Sequence, residues 1–336
     1  MSEFFSEYGM FFAKTVTIVA AILLVIGAAA AAMKGEKKRK RFRLEVRNLN
    51  DHYKSLKDSL NFELLPDDQR KQEKKAKKKE KKQARKKKKK QSGDERRKHI
   101  FVLNFRGDIL ASAVSHLRQE VTTVLMVAQP GDEVVLRLES SGGMVNTYGL
   151  AASQLQRIRE AEIPLTVMVD KVAASGGYMM ACVGTRVIAA PFAIIGSIGV
   201  ISESPNFNRF LKKHDIDYEQ ITAGKYKRTL TLFGENTEEA RRKAVEQIED
   251  IHALFKEYVA ENRPQVEIEK VATGEYWFGK RALELNLVDA LQTSDDYLVK
   301  ASEEANIIEV SYKPQDGLRS RLTLGFEHVL NRILSL

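Results

Sequence analysis

Two short segments of this 336-residue chain place a serine beside paired glycines: E-S-S-G-G-M at 139–144 and A-A-S-G-G-Y at 173–178. Each follows an apolar run of strand type and precedes residues at helical spacing. A strand-to-helix turn exposes a side chain at the carboxyl end of a sheet, and it aims free helix N-terminal N–H groups at whatever lies alongside. A serine there can act as a nucleophile, and a Gly-Gly backbone next to it as an oxyanion hole. Neither segment has the spacing of a phosphate loop, G-x-x-x-x-G-K-[ST], or of a dinucleotide turn, G-x-G-x-x-G. Ser-Gly-Gly also occurs in plain turns, so the two segments alone define candidates and not a reaction.

A nucleophilic serine needs a base. From residue 99 onward the histidines are His99, His116, His214, His252 and His328. None is placed at a strand end or Gly turn as a triad partner would be, and His116 and His252 fall inside helical runs. The other base known for serine is lysine, whose reference pKa of ~10.4 must fall by several units, as burial in an apolar, cation-poor pocket allows. The candidates are Lys171, Lys225 and Lys227, the last two within I-T-A-G-K-Y-K-R at 221–228; spacing alone does not choose among them. The single cysteine, Cys182, excludes an intramolecular disulfide framework and a multi-Cys zinc site. No metal or cofactor is expected.

The elements that would carry these turns alternate. Strands are predicted at 100–105, 133–140, 165–170, 186–191 and 194–201, with helices over 112–129, 145–161 and 175–182 and a long amphipathic helix over 237–263. That alternation predicts an α/β domain with largely parallel strands over 99–312. A tail, 313–336, follows it.

Charge separates the rest of the chain from this domain. The whole chain carries +10, with 55 Lys+Arg against 45 Asp+Glu. Residues 34–98 alone hold 28 basic and 11 acidic groups, whereas residues 99–336 hold 26 and 32. The basic excess is therefore local, and the bulk of the chain is mildly acidic. Residues 69–90 have no apolar stripe and no aromatics, which excludes a folded nucleic-acid-binding face and leaves either attraction to anionic lipid head groups or a solvated spacer. Before it, residues 15–33 are 19 consecutive uncharged, mostly apolar residues, long enough for a membrane-spanning helix. Glu3 and Glu7 precede this run, unlike the positive start of a cleaved signal peptide, so a retained anchor over 1–33 is expected. The basic flank after Met33 places the C-terminal side in the cytoplasm by the positive-inside rule.

Four blocks resemble the signal peptide peptidase A family of serine proteases: E-S-S-G-G at 139–143, D-K-V-A-A-S-G-G-Y at 170–178, I-G-S-I-G-V at 195–200, and Y-W-F-G-K-R-A-L-E-L-N-L-V-D at 276–289. The resemblance implies a Clp protease/crotonase-like spiral of ββα units, preceded by one transmembrane helix and a basic linker. It implies Ser175 as the nucleophile, Lys227 as the general base through Gly224-Lys225-Tyr226-Lys227, and Ser197 as the serine that orients the base. The oxyanion hole maps to Gly142 or Gly143 together with Gly176. A peptide or protein substrate, a homo-oligomer and an inner-membrane location follow from the same resemblance, which places the domain in the periplasm, against the flanking charge. A lysine base further implies activity that rises from neutral to alkaline pH. The family usually has proline in its first block, S-P-G-G, where this chain has Ser141, so the turn lacks one covalent constraint. An inactive membrane scaffold and a crotonase-type acyl-thioester enzyme are the alternatives on the same fold.

Overall fold

Consecutive apolar residues with few charges form strands that a parallel sheet buries on both faces, and this is how the central sheet is built. A computed structural model of the chain describes residues 42–66, 69–70 and 97–314, with residues 10, 14–17 and 19 near the N-terminus. Its main sheet contains β1 (Phe42–Asn48), β2 (His99–Arg106), β3 (Glu133–Glu139), β4 (Leu165–Val169), β6 (Arg186–Ala189), β9 (Ala290–Leu291) and β10 (Asn306–Pro314). The order is β1-β10-β2-β3-β4-β6-β9, and every pairing from β10 to β9 is parallel. A second sheet joins β5 (Val172–Ala174), β7 (Ile194–Gly196) and β8 (Tyr276–Phe278), with β5 and β7 parallel and β8 antiparallel to β7. A single parallel bridge, Ser140 to Ala173, connects β3 to β5 and so the two sheets.

Helices cover both faces of the main sheet. On one face, α2 (Val114–Leu125), α3 (Val145–Glu160), α4 (Gly176–Ala181) and α6 (Glu238–Asn262) pack on Leu103, Phe105, Leu136, Leu138 and Val167. The opposite face buries Ile100, Val102, Val135, Met168 and Ile188 beneath Leu49 and Leu298, which come from α1 (Leu49–Leu64) and α9 (Ser294–Ala301). Between α4 and α9 the chain also forms α5 (Asn208–Lys213), α7 (Ile268–Val271) and α8 (Gly279–Glu284).

Three differences from the sequence reading have local causes. The linker was expected to extend from 34 to 98; of it, the described residues 42–66 form β1, in the main sheet, and α1, which packs on that sheet. Asn50 fastens α1 to it: its side-chain N–H groups donate to the carbonyls of Ser302 and Ala305 at 2.9 and 2.8 Å, and its Oδ1 accepts from Ile307 N–H at 2.7 Å. The helix expected over 112–129 stops at Leu125, where Asp132 Oδ2 accepts the Gln129 N–H at 2.9 Å and turns the chain into β3. The strand expected over 194–201 ends at Gly196, because Ser197 takes a left-handed φ of 52°. Residues 1–43 and 313–336 form a separate unit, of which only a few residues are described. Most of the apolar run 15–33 and of the basic run 69–90 lies outside the described residues, as does nearly all of the tail. Among the described residues, no helix is long and apolar enough to cross a membrane.

One bidentate pair, its arginine buried and its carboxylate partly accessible, ties the end of α6 to the core. Arg263, 2% exposed, donates to both oxygens of Asp289 at 2.7 and 2.8 Å and to the Asn286 carbonyl at 2.9 Å, while Asp289 also accepts the Val187 N–H at 2.7 Å. A buried carboxylate, Glu120 on α2, accepts the Tyr312 N–H of β10 at 2.7 Å and has no basic partner in that bond. Burial pushes its carboxyl up to about 7, although the Tyr312 N–H pulls the other way. A carboxyl raised in the folded state contributes stability that is full below its ordinary pKa and lost as pH rises through about 7. Glu120→Gln should therefore stabilise the chain by roughly 1–3 kcal/mol at alkaline pH and have little effect near pH 5. Denaturant titrations at the two pH values check this; an equal effect at both would refute it.

Candidate active site

The site starts from the end of β5. Ser175 follows Ala174 and caps α4 with φ 52° and ψ −122°, a conformation that costs a non-glycine residue about 1–3 kcal/mol and persists only where its surroundings impose it. Here the backbone does so: Ser175 N–H donates to the Gly196 carbonyl at 2.8 Å, and its own carbonyl accepts from Met179 N–H at 3.0 Å. The Ser175 side chain is partly exposed and makes no capping bond to α4. Its hydroxyl is thus presented at a helix N-terminus without being spent on the helix. The glycine after it is needed for space, since a Cβ on Gly176 would lie 2.5 Å from Cγ of the buried Tyr148 ring.

The E-S-S-G-G turn lies directly against this serine. Gly142 has φ +90°, and a Cβ there would meet the Gly176 nitrogen at 2.7 Å and the Ser175 Cβ at 2.8 Å. A Cβ on Gly143 would strike the Ile109 carbonyl at 2.2 Å, and that carbonyl accepts the Met144 N–H at 2.9 Å. The three mapped oxyanion donors are not equivalent. Gly142 N–H is already donated to Ser140 Oγ at 3.1 Å, whereas the N–H groups of Gly143 and Gly176 have no acceptor among the described residues. Two free backbone donors beside a hydroxyl are the arrangement that stabilises a developing oxyanion.

Ser197 joins the same cluster through the backbone. It follows Gly196, whose carbonyl holds Ser175, and its own N–H donates to the Glu275 carbonyl at 2.7 Å. The next carbonyl, of Ile198, lies 3.3 Å from His252 Nε2, so that histidine engages the Ser197 loop. His214 Nδ1 lies 2.8 Å from the Phe210 carbonyl, and His99 sits beside Asp132 at the opposite end of β2.

The three lysines differ in their partners. Lys171 is exposed and pairs with Glu139 at 3.3 Å. Lys225 pairs with Glu239 at 2.6 Å, and that hydrogen bond raises its pKa above the ordinary lysine value, which is the wrong direction for a base. Lys227 has no ion pair among the described residues, and its N–H closes a turn on the Gly224 carbonyl at 3.1 Å. It is exposed, however, and lines a cleft of about 790 Å³ with Ser204, Tyr218, Ile221 and Phe233, a wall that does not include Ser175. The single chain therefore brings Ser175, Ser197, Gly142, Gly143 and Gly176 together, while Lys227 lies exposed in the wall of that cleft.

Comparison with known proteins now becomes decisive. Residues 3–155 match the family described as peptidase family S49 N-terminal, and residues 157–308 match the one described as peptidase family S49. The chain belongs to peptidase family S49. It is 45% identical over 324 residues to "Probable protease SohB" of Haemophilus influenzae, covering 95% of this chain and 92% of that one. It is 47% identical over 328 residues to the protein of the same name from Buchnera aphidicola of Acyrthosiphon pisum, covering 98% and 96%. The resemblance carried by the four sequence blocks is borne out, and membership of this peptidase family together with the SohB relatives supports a protease function.

The sequence reading passed over Tyr148, which it placed only inside the helix expected over 145–161, and Ser140, which it placed only at the end of the strand expected over 133–140. A serine two residues before a glycine is the signature of a turn closed by the hydroxyl, and that was the available signal. Gly142→Ala should lower kcat for peptide cleavage by about 10²-fold or more, since its methyl group would enter the space between the turn and Ser175. Steady-state kinetics alongside circular dichroism check this; near-parental kcat in a folded variant would remove Gly142 from the site.

Proposed function

We propose that this S49 peptidase is a membrane-anchored serine endopeptidase with a Ser175/Lys227 dyad, hydrolysing peptide bonds in membrane-associated polypeptides or signal peptide remnants. The observation that carries it is the approach of the Gly142 turn to Ser175 and the Gly176 nitrogen, with two backbone N–H groups free. In this reading neutral Lys227 accepts the Ser175 proton as Oγ bonds to the substrate carbonyl carbon. The N–H groups of Gly143 and Gly176 hold the oxyanion. As the C–N bond breaks, the lysine returns the proton to the leaving amine, and water then releases the acyl group by the same route. Ser197 orients the lysine amine.

The reading requires Lys227 to be desolvated against Ser175, and the segment around it supports an assembly that does this. Ile201, Phe207, Phe210, Ile216 and Ile221 are all exposed, Ile221 to 95%. An exposed apolar concentration of this kind marks a surface that is covered in use. We propose a homo-oligomer that covers residues 201–236, with the spiral ββα arrangement of the two sheets as its building unit. The anchor is residues 15–33, with the basic segment against anionic lipid. Flanking charge favours a cytoplasmic body and the family resemblance a periplasmic one, and reporter fusions after Leu336 decide between them.

Casein cleavage by the full chain tests the dyad. Ser175→Ala and Lys227→Ala should each lower kcat by about 10³-fold or more, while Lys225→Ala, which breaks the exposed pair with Glu239 and a contact with the Tyr226 ring, should stay within about threefold. Cleavage surviving either of the first two substitutions would refute the dyad. A parent chain that is folded and assembled yet as inactive as both variants would favour a scaffold.

A further inference from the structure

Beneath the oxyanion turn lies a chain of hydrogen bonds that no step of the proposed reaction uses. Tyr148 is fully buried on α3, and its hydroxyl lies 2.6 Å from Ser140 Oγ and 2.8 Å from the Asp108 carbonyl. Ser140, 2% exposed, has its Oγ 3.1 Å from the Gly142 nitrogen. The directions follow from proton count. A carbonyl can only accept, so the single Tyr148 hydroxyl proton goes to Asp108. The Ser140 hydroxyl must then donate to Tyr148, which leaves its lone pairs for the Gly142 N–H. The result is one unidirectional relay, Gly142 N–H to Ser140 O–H to Tyr148 O–H to Asp108 carbonyl, in which each bond polarises the next.

Room for it is built in. A Cβ on Gly107 would stand 2.3 Å from the Tyr148 hydroxyl and 2.5 Å from Ser140 Oγ, so only glycine fits there. The Tyr148 ring also fills the space against Gly176, the other side of the oxyanion pair. One side chain therefore packs on Gly176 and reaches the Gly142 turn through Ser140.

We propose that Tyr148 and Ser140 are positioning residues for the oxyanion hole: their relay binds the Gly142 N–H and so fixes the turn in which the Gly143 and Gly176 N–H groups are left to meet the oxyanion. It supplies by hydrogen bonding what a proline at 141 would supply covalently. Ser141 is exposed, and its N–H has no acceptor among the described residues, so a proline there would break no bond. This inference deepens the peptidase reading and rests on it.

The test uses the full chain with casein and a peptide substrate. Tyr148→Phe keeps the ring and removes one oxygen; Ser140→Ala removes the middle of the relay. Each should lower kcat by about 10- to 100-fold with KM unchanged. Adding Ser141→Pro to either should recover at least about tenfold of the loss, which a general packing defect would not allow. Amide exchange of the peptide covering 139–147 provides a readout without turnover, and it should quicken about tenfold in Tyr148→Phe while exchange in β2 and β4 is unchanged. Parental kcat in both single variants, no rescue by proline, or unaltered exchange at 139–147 would each overturn the proposal. If the parent chain cleaves nothing, the peptidase reading fails, and the exchange measurement still decides whether the relay fixes the turn.

Discussion

The backbone of Ser140 is where the two sheets of this protein are joined. Its N–H donates to the Val172 carbonyl at 2.9 Å and its carbonyl accepts from Ala174 N–H at 3.0 Å, while the preceding carbonyl, of Glu139, accepts from Gly107 N–H at 2.9 Å. Three chain segments leaving β2, β3 and β4 are thereby held at fixed separation just where the parallel strands end. Backbone groups buried at such a junction must find partners, and each bond removes one way in which the strand ends could drift. Ser175 is the first residue after β5, so its position is inherited from this junction and not from its own side chain. Ser175 can then occupy a strained φ because the strand before it and the Gly196 carbonyl beside it are both already fixed.

Close backbone approach follows from the same junction. With the β3 turn and the start of α4 this near to each other, no Cβ fits at Gly142 or Gly177, while their neighbours Gly143 and Gly176 are confined by Ile109 and by the Tyr148 ring. A Cβ on Gly177 would sit 2.4 Å from the Ser140 carbonyl, so the second glycine of A-S-G-G is a packing requirement of the sheet-to-sheet contact and not part of the chemistry. The glycines thus divide: Gly143 and Gly176 offer free donors, while Gly107, Gly142 and Gly177 make the approach possible. Their joint occurrence in sequence records geometry as much as catalysis.

Legibility varied with the physical origin of each element. Strands β2, β3 and β4 were readable because two-sided burial leaves unbroken apolar runs, and α3 because Tyr148, Ala152, Leu155 and Ile158 keep helical spacing. The three-residue strands of the second sheet are too short for any period to show, and Ser197 ends one of them through its backbone conformation, which composition does not encode. The segment containing β1 and α1 read as linker because it buries little apolar surface. Leu49 is its fully buried contact, and the attachment is made by the amide of Asn50, which looks like any surface residue in sequence. The Ser140 to Tyr148 bond joins residues eight apart across a turn, a spacing that no helix or strand period singles out.

The lysine is governed by a different constraint. In a region of net negative charge, an exposed lysine is readily neutralised by a carboxylate, and Lys171 and Lys225 both are. Such a partner stabilises the ammonium and opposes loss of its proton. A lysine that must act as a neutral amine therefore needs two conditions: no carboxylate partner and removal from water. Lys227 meets the first among the described residues, on a turn whose Gly224 takes a left-handed φ of 95°. The second depends on what covers residues 201–236, whose exposed isoleucines and phenylalanines would otherwise stand in solvent. On the proposed dyad, folding of the single chain sets Ser175 and the two backbone donors in place, whereas Lys227 would become competent as a base only with the burial of that apolar segment. Splitting the dyad in this way would keep an unassembled chain inactive while leaving its hydroxyl and its backbone donors already in place.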